Sequence, residues 1–185
     1  SVKYVIDTHT HADRKSASVY FDNEFKTGGI IKSDKTKFQG SCIKTKDGDI
    51  LNIGEIEVKV IHTPGHTYDH NCYLIKDKLL SGDCLFIGDV GRIDLGGDPH
   101  EKAELLYKSL RKLEKLPQNT RVYPNHVGAA HAIDSEGSFS TIKAEMESNE
   151  ALKIKTIEEF YQYMTEGWPP KPNNWQKIIQ DNLTG

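Results

Sequence analysis

Cysteine is scarce and unpatterned in this 185-residue chain: Cys42, Cys72 and Cys84 are an odd count at wide spacing, with no Cys-x-x-Cys. That excludes a disulfide framework and a zinc ribbon. It points to a reducing, cytoplasmic compartment, with Cys72 and Cys84 as small core residues. No stretch approaches the roughly twenty apolar residues that cross a bilayer. Ser1-Val2-Lys3 runs straight into a strand pattern instead of an apolar leader, so a soluble protein without membrane association is expected. An excess of one charge is lacking too. The formal net charge is −3 and the 28% charged residues are spread along the chain, leaving no basic stripe for a phosphate backbone, so nucleic acid is not an expected partner. Internal repeats and low-complexity segments are absent. The length suits one domain with its own core, residues 1–185, of which 167–185 read as a linker or C-terminal extension.

What the chain does have is eight histidines, several of them where a strand gives way to a loop. Asp7-Thr8-His9-Thr10-His11-Ala12-Asp13-Arg14 follows the β-prone run Tyr4-Val5-Ile6. His9, His11 and Asp13 alternate, which in extended backbone turns all three to one side. Neutral imidazole and carboxylate suit borderline first-row metals, so this is half of a metal site. Three further junctions offer the rest: His62-Thr63-Pro64-Gly65-His66-Thr67 after the alternating Ile56, Val58 and Val60; Ser81-Gly82-Asp83-Cys84 after Leu79-Leu80; and Val122-Tyr123-Pro124-Asn125-His126. A lone histidine is ordinarily a surface or satisfied core residue. Four strand ends that each carry His or Asp, three of them flanked by Gly or Pro, are better explained by one metal centre. His62 and His70 are read as structural neighbours of that centre, and His131 as a surface residue.

Around these motifs, Ser16 to Phe25 has helical potential, ended by Gly28-Gly29. Ile30-Ile31, Cys42 to Thr45, Asp49 to Leu51 and Glu55 to Ile61 read as short strands of one meander, and Asn71 to Ile75 with Leu79-Leu80 as the next pair. Asp98 as N-cap, Pro99 at N1 and Glu101 completing a capping box start a helix with the stripe Leu106, Leu110 and Leu113. Thr141 to Asn149, Thr156 to Glu166 and Trp175 to Asn182 read as further helices.

This order of motifs resembles the metallo-β-lactamase superfamily, whose signature is HxHxDH, a His after a Pro-Gly turn, Gly-Asp, and a late His. The likeness covers nearly the whole chain and implies an α/β (α+β) fold, the αββα sandwich. Within the superfamily, the run Ser81 to Leu95 resembles the persulfide dioxygenases (the ETHE1-like branch) and their rhodanese-fused relatives, the Gly-Arg-x-Asp element at Gly91 to Asp94 being its most specific part. Gly167-Trp168-Pro169-Pro170-Lys171-Pro172 resembles the segment ahead of a rhodanese domain in such fusions, which implies a rhodanese-type partner. Two features depart from the pattern. Arg14 stands where the motif has its second-site histidine. Superfamily members also carry about fifty residues of strand and helix before the first motif. A domain lacking its N-terminal strands is therefore expected, with an open sheet edge that favours a homo-oligomer.

The resemblance implies one Fe(II) per chain, with zinc as the alternative, held by His9, His66 and Asp83. It leaves His11, Asp13 and His126 beside it as a vestigial second site that orients ligands and water, and gives Arg92 the carboxylate of a glutathione-type substrate. Asp13, His126 and Arg92 are thus the candidate catalytic groups. The implied reaction takes a small-molecule thiol persulfide and dioxygen to sulfite and thiol. Two other readings stay open. One is a glyoxalase II-like thioester hydrolase, which needs two metals and meets a fixed guanidinium at Arg14. The other is a non-catalytic metal-binding fragment or scaffold.

Overall fold

The computed structural model describes residues 1–126, 138–168 and 170–185; His131 lies outside them. Val5–Ile6 (β1), Ser18–Phe25 (α1) and Ile30–Ser33 (β2) form a βαβ unit with parallel strands, and Ile43–Thr45 (β3) joins β2, again in parallel. This corrects the single meander expected from residue 30 onward. All four residues of β2 are buried, the mark of a strand covered on both faces, and such strands belong inside parallel units.

The meander begins later. Ile50–Ile53 (β4), Ile56–His62 (β5), Asn71–Ile75 (β6) and Lys78–Gly82 (β7) pair antiparallel in sequence order. Pro99–Leu113 (α2) then crosses over to Arg121–Pro124 (β8), parallel to β7, and Ser140–Thr141 (β9) completes a six-stranded sheet.

The alternation along β5 sets the layers. Val58 and Val60, with Tyr73 of β6, are buried against Ile6 of β1, Leu51 and Ile53, filling the space between the two sheets. On the opposite face Ile61, Cys72, Leu79 and Val122 pack under Leu106, Leu110 and Leu113 of α2 and Phe160 and Met164 of Ile157–Thr165 (α5). Helix α1 lies against β1 and β2, so the order is helix, sheet, sheet, helix, as the resemblance implies. Each fully buried leucine contributes about 1.5–3 kcal/mol, so the α2 stripe is a principal anchor of the second helical layer.

Local signals explain the helix ends. Asp98 accepts from the backbone N–H of His100 and Glu101, and Pro99 occupies the first turn. Glu101 does not complete the box: its Oε2 accepts from the Tyr68 hydroxyl at 2.7 Å, tying the helix start to the loop after β5. Thr156 caps α5 and Thr141 caps Ile142–Ser148 (α3), followed by Glu150–Lys153 (α4) and Trp175–Thr184 (α6). Among the described residues no helix is long and apolar enough to cross a membrane.

Candidate metal centre

Strands β5, β7 and β8 run in one direction, so their C-terminal ends deliver His66, Asp83 and His126 to one edge of the large sheet. The loop after β1 is brought to the same edge. Thr8 O accepts from Asn71 N at 2.8 Å, the Tyr73 hydroxyl donates to Asp7 O at 3.1 Å, and Lys32 Nζ pairs with the Asp7 carboxylate at 2.5 Å. The alternation of His9, His11 and Asp13 therefore falls on a loop and not on extended strand. The Thr10 amide turns to Asp69 Oδ1 instead of a strand partner, His9 and His11 are buried, and Asp13 is exposed.

His9, His66 and Asp83, all buried, each place one donor atom within 4.8 Å of the other two. Asp83 Oδ2 lies 3.8 Å from His9 Nε2 and 3.5 Å from His66 Nε2, too long for hydrogen bonds. Among the described residues His9 Nε2 and Asp83 Oδ1 have no hydrogen-bond partner, although both are sealed from solvent. Two metal–ligand legs of about 2.1 Å span up to ~4.2 Å between donors, so one first-row ion fits where the imidazoles and carboxylate face each other. The outer ring nitrogens are held. His66 Nδ1 donates to Arg92 O at 2.7 Å and the Thr8 hydroxyl lies 2.9 Å from His9 Nδ1, which leaves the inward Nε2 of His66 with its lone pair free for a cation.

Protonation agrees with that use. Burial holds His9 well below the usual imidazole range and pushes His66 down to about 4, so both are neutral near pH 7. Burial opposes ionisation of Asp83, but His9, the contact with His126 and His66 outweigh it and keep the carboxyl well below its ordinary value.

The other predicted residues form a second group beside the first. His126 Nε2 lies 3.3 Å from Asp83 Oδ2 and 3.6 Å from Asp13 Oδ2, and the Asp83 contact raises its pKa. Arg14 Nη1 donates to Asp13 Oδ2 at 3.0 Å. His11 Nδ1, 3.9 Å from Asp13 Oδ1, has no hydrogen-bond partner among the described residues, and the pKa of His11 is lowered by burial and then by Arg14. Thus His11 is buried beside the triad without belonging to it, and Asp13 is engaged by a guanidinium.

Positioning groups complete the site. His70 Nε2 accepts from Asp83 N at 3.0 Å while its Nδ1 lies 2.8 Å from the Thr63 hydroxyl, so this buried ring sets the backbone that carries Asp83. Gly82, at φ +55°, is required beside it, because a Cβ there would come within 2.5 Å of His70 Nε2. Asn182 of α6, which no motif singles out, donates from Nδ2 to His11 O and Arg14 O, both at 2.9 Å, and accepts from Ser16 N at 2.7 Å. Through Asn182 helix α6 is thus tied to the loop that carries His11 and Arg14. Cys72 and Cys84 are free thiols buried in the core behind it.

A cavity of about 140 Å³ opens onto the triad, walled by Phe86, Leu95, Trp168, Pro172 and Arg92. Arg92 gives its Nε and Nη2 to Asp94 at 2.6 and 2.9 Å, reaches Pro170 O with Nη1 and lies over the Trp168 ring. The carboxylate it meets in this structure is the chain's own Asp94.

Known proteins share this architecture. Hydroxyacylglutathione hydrolase of Dictyostelium discoideum is 31% identical over 157 residues, covering 80% of this chain and 56% of its own length, so the chain spans little more than half of that relative. The crystal structure of ETHE1 from Myxococcus xanthus superposes with a TM-score of 0.87 at 29% identity, over 99% of this chain and 77% of that one. A metallo-beta-lactamase from Staphylococcus aureus gives 0.88 at 26% identity, over 99% and 57%. The structural likeness agrees with the branch suggested by Gly91 to Asp94, whereas the sequence relative carries a hydrolase name. Residues 1–126, which contain every donor described above, match the family profile of the metallo-beta-lactamase superfamily, and on that match and on the αββα sandwich around a His, His, Asp cluster the chain belongs to that superfamily.

Proposed function

We propose that this chain works as a mononuclear iron persulfide dioxygenase, oxidising the outer sulfur of a low-molecular-weight persulfide such as glutathione persulfide with dioxygen, after which one water adds the third oxygen and breaks the S–S bond to give sulfite and thiol. The observation that carries the reading is Arg14. Its guanidinium pairs with Asp13 where a second metal would need both that carboxylate and another imidazole, while His9 Nε2 and Asp83 Oδ1 have no partner among the described residues and His66 brings a donor atom to the same cluster. Two imidazoles and one carboxylate with open positions are the ligand set of non-haem iron oxygenases. When bound there, ferrous iron supplies the redox chemistry through which dioxygen oxidises sulfur.

The chain's own residues do the rest. The cavity takes the terminal sulfur but not a whole tripeptide, so the thiol carrier lies outside, across Trp168 and Pro172. Phe86, Leu95 and Trp168 form the apolar part of the wall around the sulfur, and the open mouth admits the water that supplies the third oxygen of sulfite. His126, facing Asp13 and Asp83, carries a proton at the cavity wall for the departing thiolate. Arg92, with Asp94, holds charge at the mouth where a glutathione-type carboxylate would approach.

The second reading, a thioester hydrolase, is favoured by the name of the sequence relative. One preparation decides between them. Purified protein is assayed for metal content, for oxygen uptake with glutathione persulfide, and for hydrolysis of a hydroxyacylglutathione thioester. Oxygen uptake with sulfite formation and one iron per chain is expected. Thioester hydrolysis with two metals per chain and no oxygen uptake would overturn the proposal, and neither activity would leave the scaffold reading.

A further inference from the structure

A second cavity, of about 300 Å³, shares Leu95 with the first and is lined by Thr10, Thr67, Lys35, Lys37 and Lys102. Lys102 is the unusual member. It lies four residues before Leu106 on the inward stripe of α2 and is only 1% exposed. Its Nζ donates to Gly96 O at 3.1 Å, and among the described residues no carboxylate comes within ion-pair distance of it. Asp94, the acid whose field it feels, is engaged by Arg92. Burial pulls its pKa down to about 8, which still leaves it charged near neutrality. An ammonium buried without a counter-ion is costly where a methionine or leucine would serve the stripe better, and such a group beside a cavity marks a binding site.

The surroundings suit an anion. Lys35 and Lys37 stand exposed at the rim, Lys35 being loosely paired with Asp34 at 3.3 Å. Asp69, the acid in the lining, is already satisfied: it accepts from Thr10 N, Thr10 Oγ1 and Thr67 Oγ1. We infer that this cavity is a second, separate binding site for a phosphate-class anion, with Lys102 as the buried counter-charge and Lys35 and Lys37 as the rim. The anion is either a free phosphate compound or the phosphoryl end of a larger molecule.

Binding is the readout, so the test stands apart from the oxidation proposed above. Inorganic pyrophosphate is titrated into the full chain at pH 7 and low salt by calorimetry, with amide shifts of Thr10, Thr67 and Gly97 followed by NMR. Saturable binding with shifts at those amides is expected. Lys102→Met should weaken it at least tenfold, and the Lys35→Ala, Lys37→Ala double variant severalfold. Lys112→Ala, which removes an exposed charge paired with Asp47 elsewhere on α2, should leave it unchanged. Lys102→Met should also melt no lower than the parent without anion, because it removes a buried charge, and so remain a folded test. Absence of saturable binding, equal weakening by Lys112→Ala, or binding indifferent to Lys102→Met would overturn the inference. If pyrophosphate competes with the persulfide substrate, it occupies the first cavity and the inference falls; if both bind together, a phosphomonoester that displaces pyrophosphate better than inorganic phosphate does marks the phosphoryl end of a larger molecule, and equal displacement marks a free ligand.

Discussion

Replacing His70 by alanine separates holding a metal ligand from being one. The ring is fully buried, accepts from Asp83 N at 3.0 Å, faces the Thr63 hydroxyl at 2.8 Å and stacks on His9 with centroids 5.1 Å apart. In His70→Ala the Asp83 amide loses its partner. Thr63 keeps its contact with Cys72 Sγ at 3.2 Å, so one group is fully orphaned and one only partly. A buried unsatisfied group costs about 1–3 kcal/mol, and with the lost packing the total comes to about 2–4 kcal/mol. For a domain of this size that lowers the melting temperature by roughly 5–15 °C. Loss of a group that orients a ligand typically costs 10–100-fold in metal affinity. His70→Gln supplies an acceptor near the former Nε2, so it should recover most of the affinity while restoring only part of the stability. Melting of the metal-free protein and a chelator competition with ferrous or zinc ion measure the two effects. Unchanged affinity in His70→Ala, with the melting temperature lowered, would show that His70 only fills space.

Three other outcomes are expected. In metal-free protein, His66 takes its proton at about 4 when folded and near 6.5 when unfolded, so stability is complete above pH 6.5 and is lost as pH falls toward 4, by about 3 kcal/mol from this residue. His126, its pKa raised and its ring partly exposed, works weakly the other way, so a melting temperature flat from pH 7 to 4.5 refutes the burial argument. Gly65→Ala, at φ +143°, would set a Cβ 2.4–2.5 Å from the backbone and Cβ of Leu106 and should cost about 3 kcal/mol, read by urea denaturation; a neutral variant means that α2 can shift. Arg14→His removes the guanidinium from Asp13 and restores the motif's imidazole beside His126, so metal content in excess zinc should rise from one toward two per chain; occupancy that stays at one clears Arg14 of the block.

The donors were legible because each sits at a strand end marked by local signals: β-prone runs before His9, His66, Asp83 and His126, and turn chemistry at Pro64-Gly65 and Gly82. The partition of the first strands between two sheets was not, since Ile30-Ile31 reads alike in a hairpin and a parallel unit; only burial on both faces distinguishes them. Asn182 could not be read either. Its role depends on two carbonyls 171 and 168 positions away, and an asparagine late in a helix looks like surface. Lys102 did leave a trace, a charged residue on the stripe of Leu106 and Leu110, which composition alone hides. The fate of Arg92 was beyond reach for another reason: a guanidinium two residues from an aspartate is equally able to greet a ligand or its neighbour.

Charge balance links these particulars to the choice of chemistry. Asp13 and Asp83 bring two negative charges to the edge where His9, His66 and His126 converge. A two-metal centre would set two dications against them and gather a hydroxide to share the excess. Here Arg14 supplies a single fixed positive charge on the Asp13 side, and one dication on His9, His66 and Asp83 leaves the pocket net positive, to which the proton carried by His126 adds. That positive balance favours an anion over a neutral group, and the proposed persulfide, more acidic than its parent thiol, would bring one, whereas the reacting group of a thioester is neutral. Since the Arg14 and Asp13 side chains are 47% and 31% exposed, their pairing is worth only about 0–1 kcal/mol. The guanidinium therefore acts less as a lock than as a permanent charge, and it is the missing imidazole, together with that charge, that makes the second cation unwelcome.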